Sequence, residues 1–336
     1  MSSSVLGSHF EREIREQPDV WERLAASNKA EQVADAITGQ VVLIGSGSSL
    51  FVAELGALAL RRRRVSAHAL AATEVRLDHS AYEGSTIIAI SQSGRSTDVL
   101  EALAVLKLKR LIALTNNARS PLGDMASLTI DVGAGTETAV PASKSVSASA
   151  AILLWAASLL DRDSRRGKES LIRTAEAVGA WLKSQSVGDV VAAARAIAAC
   201  TSVIFLGSDY GLPVAREAAL KLKEAAYIHA EGYSAGEFRH GSIAMVDGTS
   251  AVIGIADEDA LDAVARPLRE VERSKALRYT IGMSVDEVPR LGPTLDVPFN
   301  TLGWLVTAQL IALHAGRVRG IDSDAPRGLT KALVVD

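Results

Sequence analysis

The chain has 336 residues, 48% of them hydrophobic, with 36 Lys and Arg against 39 Asp and Glu and a formal net charge of −3. At about 100–200 residues per domain, this length predicts two domains or one large one, and the apolar content excludes a disordered chain. The near-neutral charge excludes a typical nucleic-acid binder, which needs an excess of Lys and Arg.

Short β-branched runs alternate with helical patterns along the first half of the chain. Strands are predicted at residues 41–44, 85–90, 111–114 and 127–132, and helices at residues 51–64, at residues 98–109 and in a long run ending near residue 160. Apolar strands joined through helices are typical of βαβ units and of a parallel sheet covered on both faces. The polar run 161–167 is interpreted as a linker.

The second half of the chain repeats the first. After a helical bridge the strand pattern restarts at residues 203–208. Matching features recur at slowly drifting offsets of 162 residues (Gly45 and Gly207), 164 residues (Gly84 and Gly248) and 168 residues (Arg110 and Arg278). Such offsets indicate an internal duplication. We therefore predict an α/β protein with a helical segment at 1–37, a first module at 38–165 and a second module with a tail at 166–336.

Two hydroxyl-rich loops follow predicted strands in the first module. Residues 45–49 read Gly-Ser-Gly-Ser-Ser and residues 91–97 read Ser-Gln-Ser-Gly-Arg-Ser-Thr, each directly before a helix. Glycine allows close approach of a ligand, helix N–H groups attract anions and the hydroxyls add donors, so the pair suits a phosphate monoester. Each loop alone also fits a helix N-cap, but two after successive strands favour a ligand site.

Three charged residues recur on one predicted helix of the second module. Glu217, Lys221 and Glu224 stand at i, i+4 and i+7, within a narrow stripe of one face. A carboxylate and an ammonium at this spacing could move a proton beside a carbonyl and stabilise the oxyanion. The alternative is an exposed face with Glu–Lys pairs. His240, in a Gly-flanked polar loop before a predicted strand at 243–246, is a further candidate for proton transfer.

Several classes of cofactor and compartment are not expected. Leu50 stands where a dinucleotide-binding motif has its third Gly, and no metal-ligand spacing appears, so neither a nicotinamide nor a metal is predicted. The one cysteine, Cys200, fits a reducing compartment. The N-terminal residues do not form a signal peptide pattern, and the most apolar run is too short for a membrane helix. A cytoplasmic protein without a membrane or nucleic-acid partner is predicted.

Together these segments resemble the double sugar-isomerase (SIS) domain family, which includes the isomerase half of glucosamine-6-phosphate synthase and stand-alone deaminases. The resemblance rests on ordered motifs along nearly the whole chain, at residues 13–18, 90–94, 134–137, 206–224, 227–231, 236–241 and 324–331. It implies two tandem flavodoxin-like, doubly wound SIS modules.

The resemblance also implies roles for individual residues. It assigns the sugar phosphate to Ser48, Ser49, Ser91, Gln92, Ser93 and Ser96. It makes Glu224 the base that shuttles a proton between C1 and C2 of the open-chain sugar, with Glu217 and Lys221 as its supporting pair. His240 resembles the ring-opening histidine that reaches over from a second subunit, which implies a homodimer with shared sites. Lys331 resembles a tail lysine that contacts the open-chain substrate.

Some positions differ from the synthase. That enzyme has a glutaminase domain with an N-terminal cysteine nucleophile, whereas here serines follow Met1 and Cys200 lies in mid-chain, so glutamine is not expected to supply ammonia. Ala142 replaces a sugar-contacting Ser, and Ser242 replaces the usual Pro after His-Gly.

The leading hypothesis is therefore a glucosamine-6-phosphate deaminase that yields fructose 6-phosphate and ammonia. The alternatives are a simple aldose–ketose isomerase or a fructosamine-phosphate deglycase, and, from another class, a non-catalytic sugar-phosphate sensor.

Overall fold

The computed structural model describes residues 5–75, 77, 79–160, 165–295 and 298–331. The chain forms two compact units that interleave along the sequence. The first unit contains Glu16–Glu137, Lys144–Ala175 and the tail from Thr330, and the second contains the residues up to Arg15, Thr138–Ser143 and Glu176–Leu329. Residues 161–164 of the predicted linker lie outside the described residues, and the contiguous module boundaries stay a prediction.

Helices and strands alternate from the N-terminus to the middle of the chain. The helices are α1 (Ser8–Arg15), α2 (Gln17–Ala25), α3 (Lys29–Ala36), α4 (Ser48–Arg62), α5 (Ala72–Val75), α6 (Thr97–Val105), α7 (Pro121–Met125), α8 (Lys144–Leu159) and α9 (Arg165–Leu182). The strands are β1 (Val41–Gly45), β2 (Ala67–Ala71), β3 (Thr86–Ile90), β4 (Arg110–Thr115) and β5 (Leu128–Asp131). In the first unit these strands form one parallel sheet in the order β2-β1-β3-β4-β5.

The second unit repeats this arrangement. Its helices are α10 (Val187–Ile197), α11 (Gly211–Ala226), α12 (Ala235–Phe238), α13 (Leu261–Glu270) and α14 (Asn300–Val318). Its strands are β6 (Ser202–Gly207), β7 (His229–Ser234), β8 (Ser250–Ala256), β9 (Leu277–Gly282) and β10 (Arg290–Leu291). They form a parallel sheet in the order β10-β9-β8-β6-β7. Counted in chain order, both sheets have the order 2-1-3-4-5 of flavodoxin-like folds.

Helices bury both faces of each sheet. Every residue of β1, β3 and β8 is buried, which is why these strands read as continuous apolar runs. In the first unit, Val42 and Ile44 of β1 belong to the same buried cluster as Val99 and Leu103 of α6. α4 packs against the long, almost wholly buried α8. The predicted α/β fold with two parallel sheets is confirmed.

One predicted strand is wrong. Residues 243–246 lie in a short 3₁₀ helix, Ser242–Met245, and the next strand is β8 from Ser250 onward. The run Ile243–Val246 is too exposed for an inner strand, since it lies between Gly241, whose φ is +137°, and the turn at Asp247. The edge strands β2 and β7 were not predicted because they are half-exposed and lack a continuous apolar run.

Segments distant in sequence complete the second unit. Asp324 accepts the backbone N–H groups of His9 and Phe10 at 2.9 and 2.7 Å, and so satisfies the start of α1. The buried carboxylate of Glu13 accepts the N–H of Ala139. Of the described residues, no helix is long and apolar enough to cross a membrane.

Candidate active site

The loop between β1 and α4 places two serines at the start of a helix. Ser48 and Ser49 are the first two residues of α4, and its N-cap is Gly47, whose φ of +56° lies in the left-handed region. Gly45 permits the tight turn, because a Cβ there would lie 2.5 Å from the carbonyl carbon of Ser49. Both serines are partly exposed. Their hydroxyls and the unpaired N–H groups of the first helical turn are therefore accessible to an anion.

The loop after β3 is held together by its own serines. Ser91 Oγ accepts the N–H of Gly94 at 3.1 Å, and Ser93 Oγ accepts the N–H of Arg95 at 3.2 Å. Gly94 has φ +64°, and a Cβ there would lie 2.0 Å from Ser120 Oγ. A hydroxyl that accepts one hydrogen bond still has its O–H to donate. Ser91 and Ser93 thus shape the turn and keep a donor for a ligand.

The remaining predicted groups of this loop are not consumed by helix capping. Ser96 is the N-cap residue of α6, yet its side chain makes no cap hydrogen bond. Gln92 is partly exposed, and its backbone carbonyl accepts the N–H of Asn116 at 3.0 Å, which fixes the loop against the end of β4. This observation weakens the N-cap interpretation for Ser96.

The topology brings the two loops to one place. Ile44 of β1 pairs with Ala89 of β3, so the residues that follow them lie side by side at the carboxyl edge of the sheet. In the order β2-β1-β3-β4-β5, this is the point where the strand order reverses, and open α/β sheets bind ligands there. We define the six side chains as the serine cradle: Ser48, Ser49, Ser91, Gln92, Ser93 and Ser96.

The charged stripe of α11 is buried. The side chains of Glu217 and Lys221 are only 2% and 1% exposed, whereas that of Glu224 is 19% exposed. Lys221 Nζ donates to Glu224 Oε2 and lies 3.4 Å from Glu217 Oε1. α11 is covered because it packs against β6, β7 and α14. The alternative of an exposed face with surface ion pairs is therefore wrong.

The two carboxylates keep Lys221 charged. Burial by itself would lower the pKa of Lys221, but the charges of Glu217 and Glu224 and their hydrogen bonds outweigh it and raise the pKa above its ordinary value. At neutral pH the stripe therefore consists of a buried ammonium between a buried and a partly exposed carboxylate. Glu224 is the member that a substrate can reach.

His240 lies apart from this stripe in the hydrogen-bond network. It is exposed, and its backbone N–H donates to the carbonyl of Glu237 at 2.9 Å. Gly241, with φ +137°, follows it in a conformation that favours glycine. Among the described residues, no hydrogen bond or ion pair joins the His240 side chain to Glu217, Lys221 or Glu224. The predicted role of His240 across a subunit boundary stays a prediction.

Lys331 has a carboxylate partner that the sequence analysis did not single out. Lys331 Nζ lies 3.2 Å from Glu137 Oε2, and the Glu137 side chain is wholly buried. Glu137 also accepts from Ser145 Oγ at 2.7 Å and from the Ser145 N–H at 3.2 Å. Its place in the motif at residues 134–137 was the available signal, but only the fold brings it to the tail.

A second anchor holds the segment before Thr330. The guanidinium of Arg327 lies 4.5 Å above the ring of Tyr227, and the Arg327 N–H donates to the Tyr227 hydroxyl. Tyr227 itself ends α11 with φ +52°. The chain that leads to Lys331 is therefore tied to the end of the helix that carries the charged stripe, within the second unit.

Comparison with known proteins agrees with this architecture. The sequence profile of the SIS domain matches residues 37–159 and 196–287. The isomerizing glutamine:fructose-6-phosphate aminotransferase of Sulfolobus acidocaldarius is 32% identical over 309 residues, which make up 89% of this chain and 50% of that protein. The chain thus spans about half the length of the curated relatives it matches.

Solved structures share the fold. The C-terminal domain of glucosamine-fructose-6-phosphate aminotransferase from Francisella tularensis superposes with a TM-score of 0.84 at 23% identity, covering 94% of this chain and 98% of that one. Glucosamine-6-phosphate deaminase from Thermotoga maritima superposes with a TM-score of 0.79, also at 23% identity, covering 98% of this chain and 100% of that one. Because the SIS profile matches more than half of the residues, in two copies, the chain belongs to the SIS domain family.

Proposed function

We propose that the chain is an isomerising glucosamine-6-phosphate deaminase, which converts glucosamine 6-phosphate and water into fructose 6-phosphate and ammonia. The observation that carries the proposal is the buried Glu217–Lys221–Glu224 stripe. Burying three charges on one helix is costly for a protein that only needs a stable fold. A proton-transfer site needs such a group, with one member accessible to substrate.

The relatives support the substrate class. The Sulfolobus protein is by its name an isomerizing aminotransferase acting on fructose 6-phosphate, and deamination reverses the amination of that sugar. The Thermotoga structure with the same fold is a deaminase by name. We carry both indications over to this chain as part of the proposal.

In the proposed mechanism the serine cradle binds the phosphate and His240 of a second subunit opens the sugar ring. Glu224 removes the proton from C2 of the open-chain aldehyde, and Lys221 keeps Glu224 ionised and oriented. The resulting enolamine receives the proton at C1, which leaves an imine at C2. Water adds to that imine and ammonia departs, so that fructose 6-phosphate forms. Lys331 contacts the open chain.

The direct test is incubation with glucosamine 6-phosphate, followed by measurement of both ammonia and fructose 6-phosphate. We expect turnover by the wild type and a drop of about 10²–10⁴-fold in kcat for Glu224→Gln, the range for loss of a general base. Glu176→Gln, an exposed glutamate on α9, is the matched control and should leave kcat unchanged. Wild-type turnover no faster than that of Glu224→Gln would overturn the proposal.

A panel of other substrates separates the alternatives. Hexose 6-phosphates and a fructosamine phosphate, followed by NMR in deuterated water, report isomerisation or deglycation by the same groups. Faster turnover of one of these than of glucosamine 6-phosphate would replace deamination with that reaction. Binding of sugar phosphates without proton exchange at C2 would identify a sensor.

The shared site is tested by mixing subunits. If His240 acts on a neighbour's substrate, Glu224→Gln and His240→Ala proteins should each be inactive alone and regain part of the activity after subunit exchange. Failure to regain activity in mixtures shown to exchange would count against shared sites.

A further inference from the structure

A second, chemically different cavity lies within the second unit, at the carboxyl ends of β8 and β9. Its volume is about 280 Å³, close to the lower end of roughly 300–1,000 Å³ for small-molecule sites. Ala256 ends β8, Gly282 ends β9 and Asn300 begins α14, and all three line the cavity. None of these residues belongs to the serine cradle or to the stripe on α11.

One polar group in this cavity has no protein partner. Asn300 is 3% exposed, and its side-chain Oδ1 is buried without a hydrogen bond. Leaving such an acceptor unsatisfied costs about 1–3 kcal/mol. A donor supplied by a ligand or by water would remove that cost.

A carboxylate lies beside this acceptor in the cavity wall. Asp257 is 6% exposed, and its Oδ1 accepts the N–H of Ala260 at 3.1 Å. That hydrogen bond orients the carboxylate and leaves lone pairs for other donors. Glu258 adds a second carboxylate at the exposed side of the cavity.

The charge of the lining excludes the ligand chemistry of the serine cradle. Two carboxylates and an amide oxygen are acceptors, and none of the described residues that line the cavity is basic. A phosphate or carboxylate would be repelled, whereas an ammonium group would gain charge-assisted hydrogen bonds.

The rest of the wall selects the size and shape of the ligand. Met283, Leu295 and the buried Trp304 supply apolar surface, which suits the carbon face of a ring. We propose that this cavity is a second ligand site, which binds a small ammonium compound of monosaccharide size without a phosphate, such as a free amino sugar. The inference is independent of the proposed reaction.

The test is isothermal titration of the full chain with glucosamine hydrochloride. Asp257→Asn keeps an oxygen for the Ala260 N–H but removes the charge, so we expect at least about tenfold weaker binding. Asn300→Asp adds a charge at nearly the same shape and should tighten binding. Asp259→Asn, on the exposed neighbour of Glu258, is the matched control and should leave binding unchanged. Glucose, which has the ring without the ammonium, should bind more weakly than glucosamine.

The result that overturns the proposal is equally specific. It would be no glucosamine binding to the wild type, or affinity that is the same in Asp257→Asn, Asn300→Asp and Asp259→Asn, which would mean that water alone fills the cavity. Weakening by Glu224→Gln as strong as by Asp257→Asn would place glucosamine at the α11 stripe instead and would also refute the second site. Circular dichroism melts confirm that each variant is folded.

Discussion

The two units have the same strand order but opposite chemistry at the edge where parallel sheets bind ligands. In the first unit, the loop after β3 begins with Ser91, Gln92 and Ser93. In the second unit, the strand in the matching place, β8, is followed by Asp257, Glu258 and Asp259. The shared topology therefore determines where a ligand can bind, and the loop side chains determine the sign of its charge.

The units also differ in what their first helix carries. α4, after β1, begins with serines, whereas α11, after β6, carries the buried Glu217–Lys221–Glu224 stripe. A duplicated fold has thus specialised, with anion-binding groups on one copy and proton-transfer groups on the other. The following predictions test that division of labour, from the largest expected effect to the smallest.

Replacing Lys221 should have the largest effect on stability. Lys221→Met leaves Glu217 buried with a negative charge and no ammonium beside it, which should lower the free energy of unfolding by about 3–5 kcal/mol. Lys223→Met, on the exposed neighbour along α11, is the control and should change it by less than about 0.5 kcal/mol. Urea unfolding measures both. Equal effects would show that the stripe does not differ from the rest of the helix surface.

The tight turns after β1 and β6 should respond alike, because they belong to the shared fold. A Cβ at Gly45 would lie 2.5 Å from Ser49 backbone, and one at Gly207 would lie 2.2 Å from the carbonyl oxygen of Gly211. Gly45→Ala and Gly207→Ala should each lower the free energy of unfolding by about 1–3 kcal/mol. If only one of them destabilises in thermal melts, the two turns are not equivalent.

A serine of the cradle should affect binding without affecting stability. Ser96 caps α6 without a side-chain hydrogen bond, so Ser96→Ala should leave the melting temperature unchanged. It should raise KM for the sugar phosphate about tenfold, since a hydrogen bond to a charged group is lost. Ser208→Ala, in the loop after β6, is the matched control in the other unit. A fall in melting temperature with unchanged KM would return Ser96 to a capping role.

The smallest effect is a difference in alkaline stability. Because the folded state raises the pKa of Lys221, its contribution is fully present below the unfolded value of about 10.4. It is lost as the pH rises through the folded pKa. The wild type should therefore lose stability above about pH 10.4 more steeply than Lys221→Met does. Parallel urea titrations of the two proteins would refute this expectation if their slopes with pH coincide.

The inner strands and the duplication could be predicted from the sequence because buried parallel strands are continuous apolar runs. β1, β3, β4 and β6 were found in this way, each within a residue or two of its bounds. The edge strands β2 and β7 were missed, and the exposed run at 243–246 was mistaken for a strand, because local apolarity does not report burial. Burial depends on what packs above and below.

For the candidate site, residue types and spacing suggested the serines and the stripe but left each with a second interpretation. On spacing alone, Glu217 and Lys221 fitted an exposed helix face as well as a catalytic one. The packing of α11 against β6, β7 and α14 decided between them. The partners of Lys331 and Tyr227 are separated from them by 194 and 100 residues, and no local pattern predicts such contacts.

The sequence by itself determined the class of fold, the internal duplication and the family, because these depend on periodicity and on ordered motifs. Only the tertiary structure decided which charges are buried, which serine hydroxyls are not used as caps, and that Asn300 and Asp257 line one cavity. The physical reason is that solvation and partner geometry are set by residues far apart in the chain. A charged side chain has the same letter in the sequence whether water or a buried lysine surrounds it.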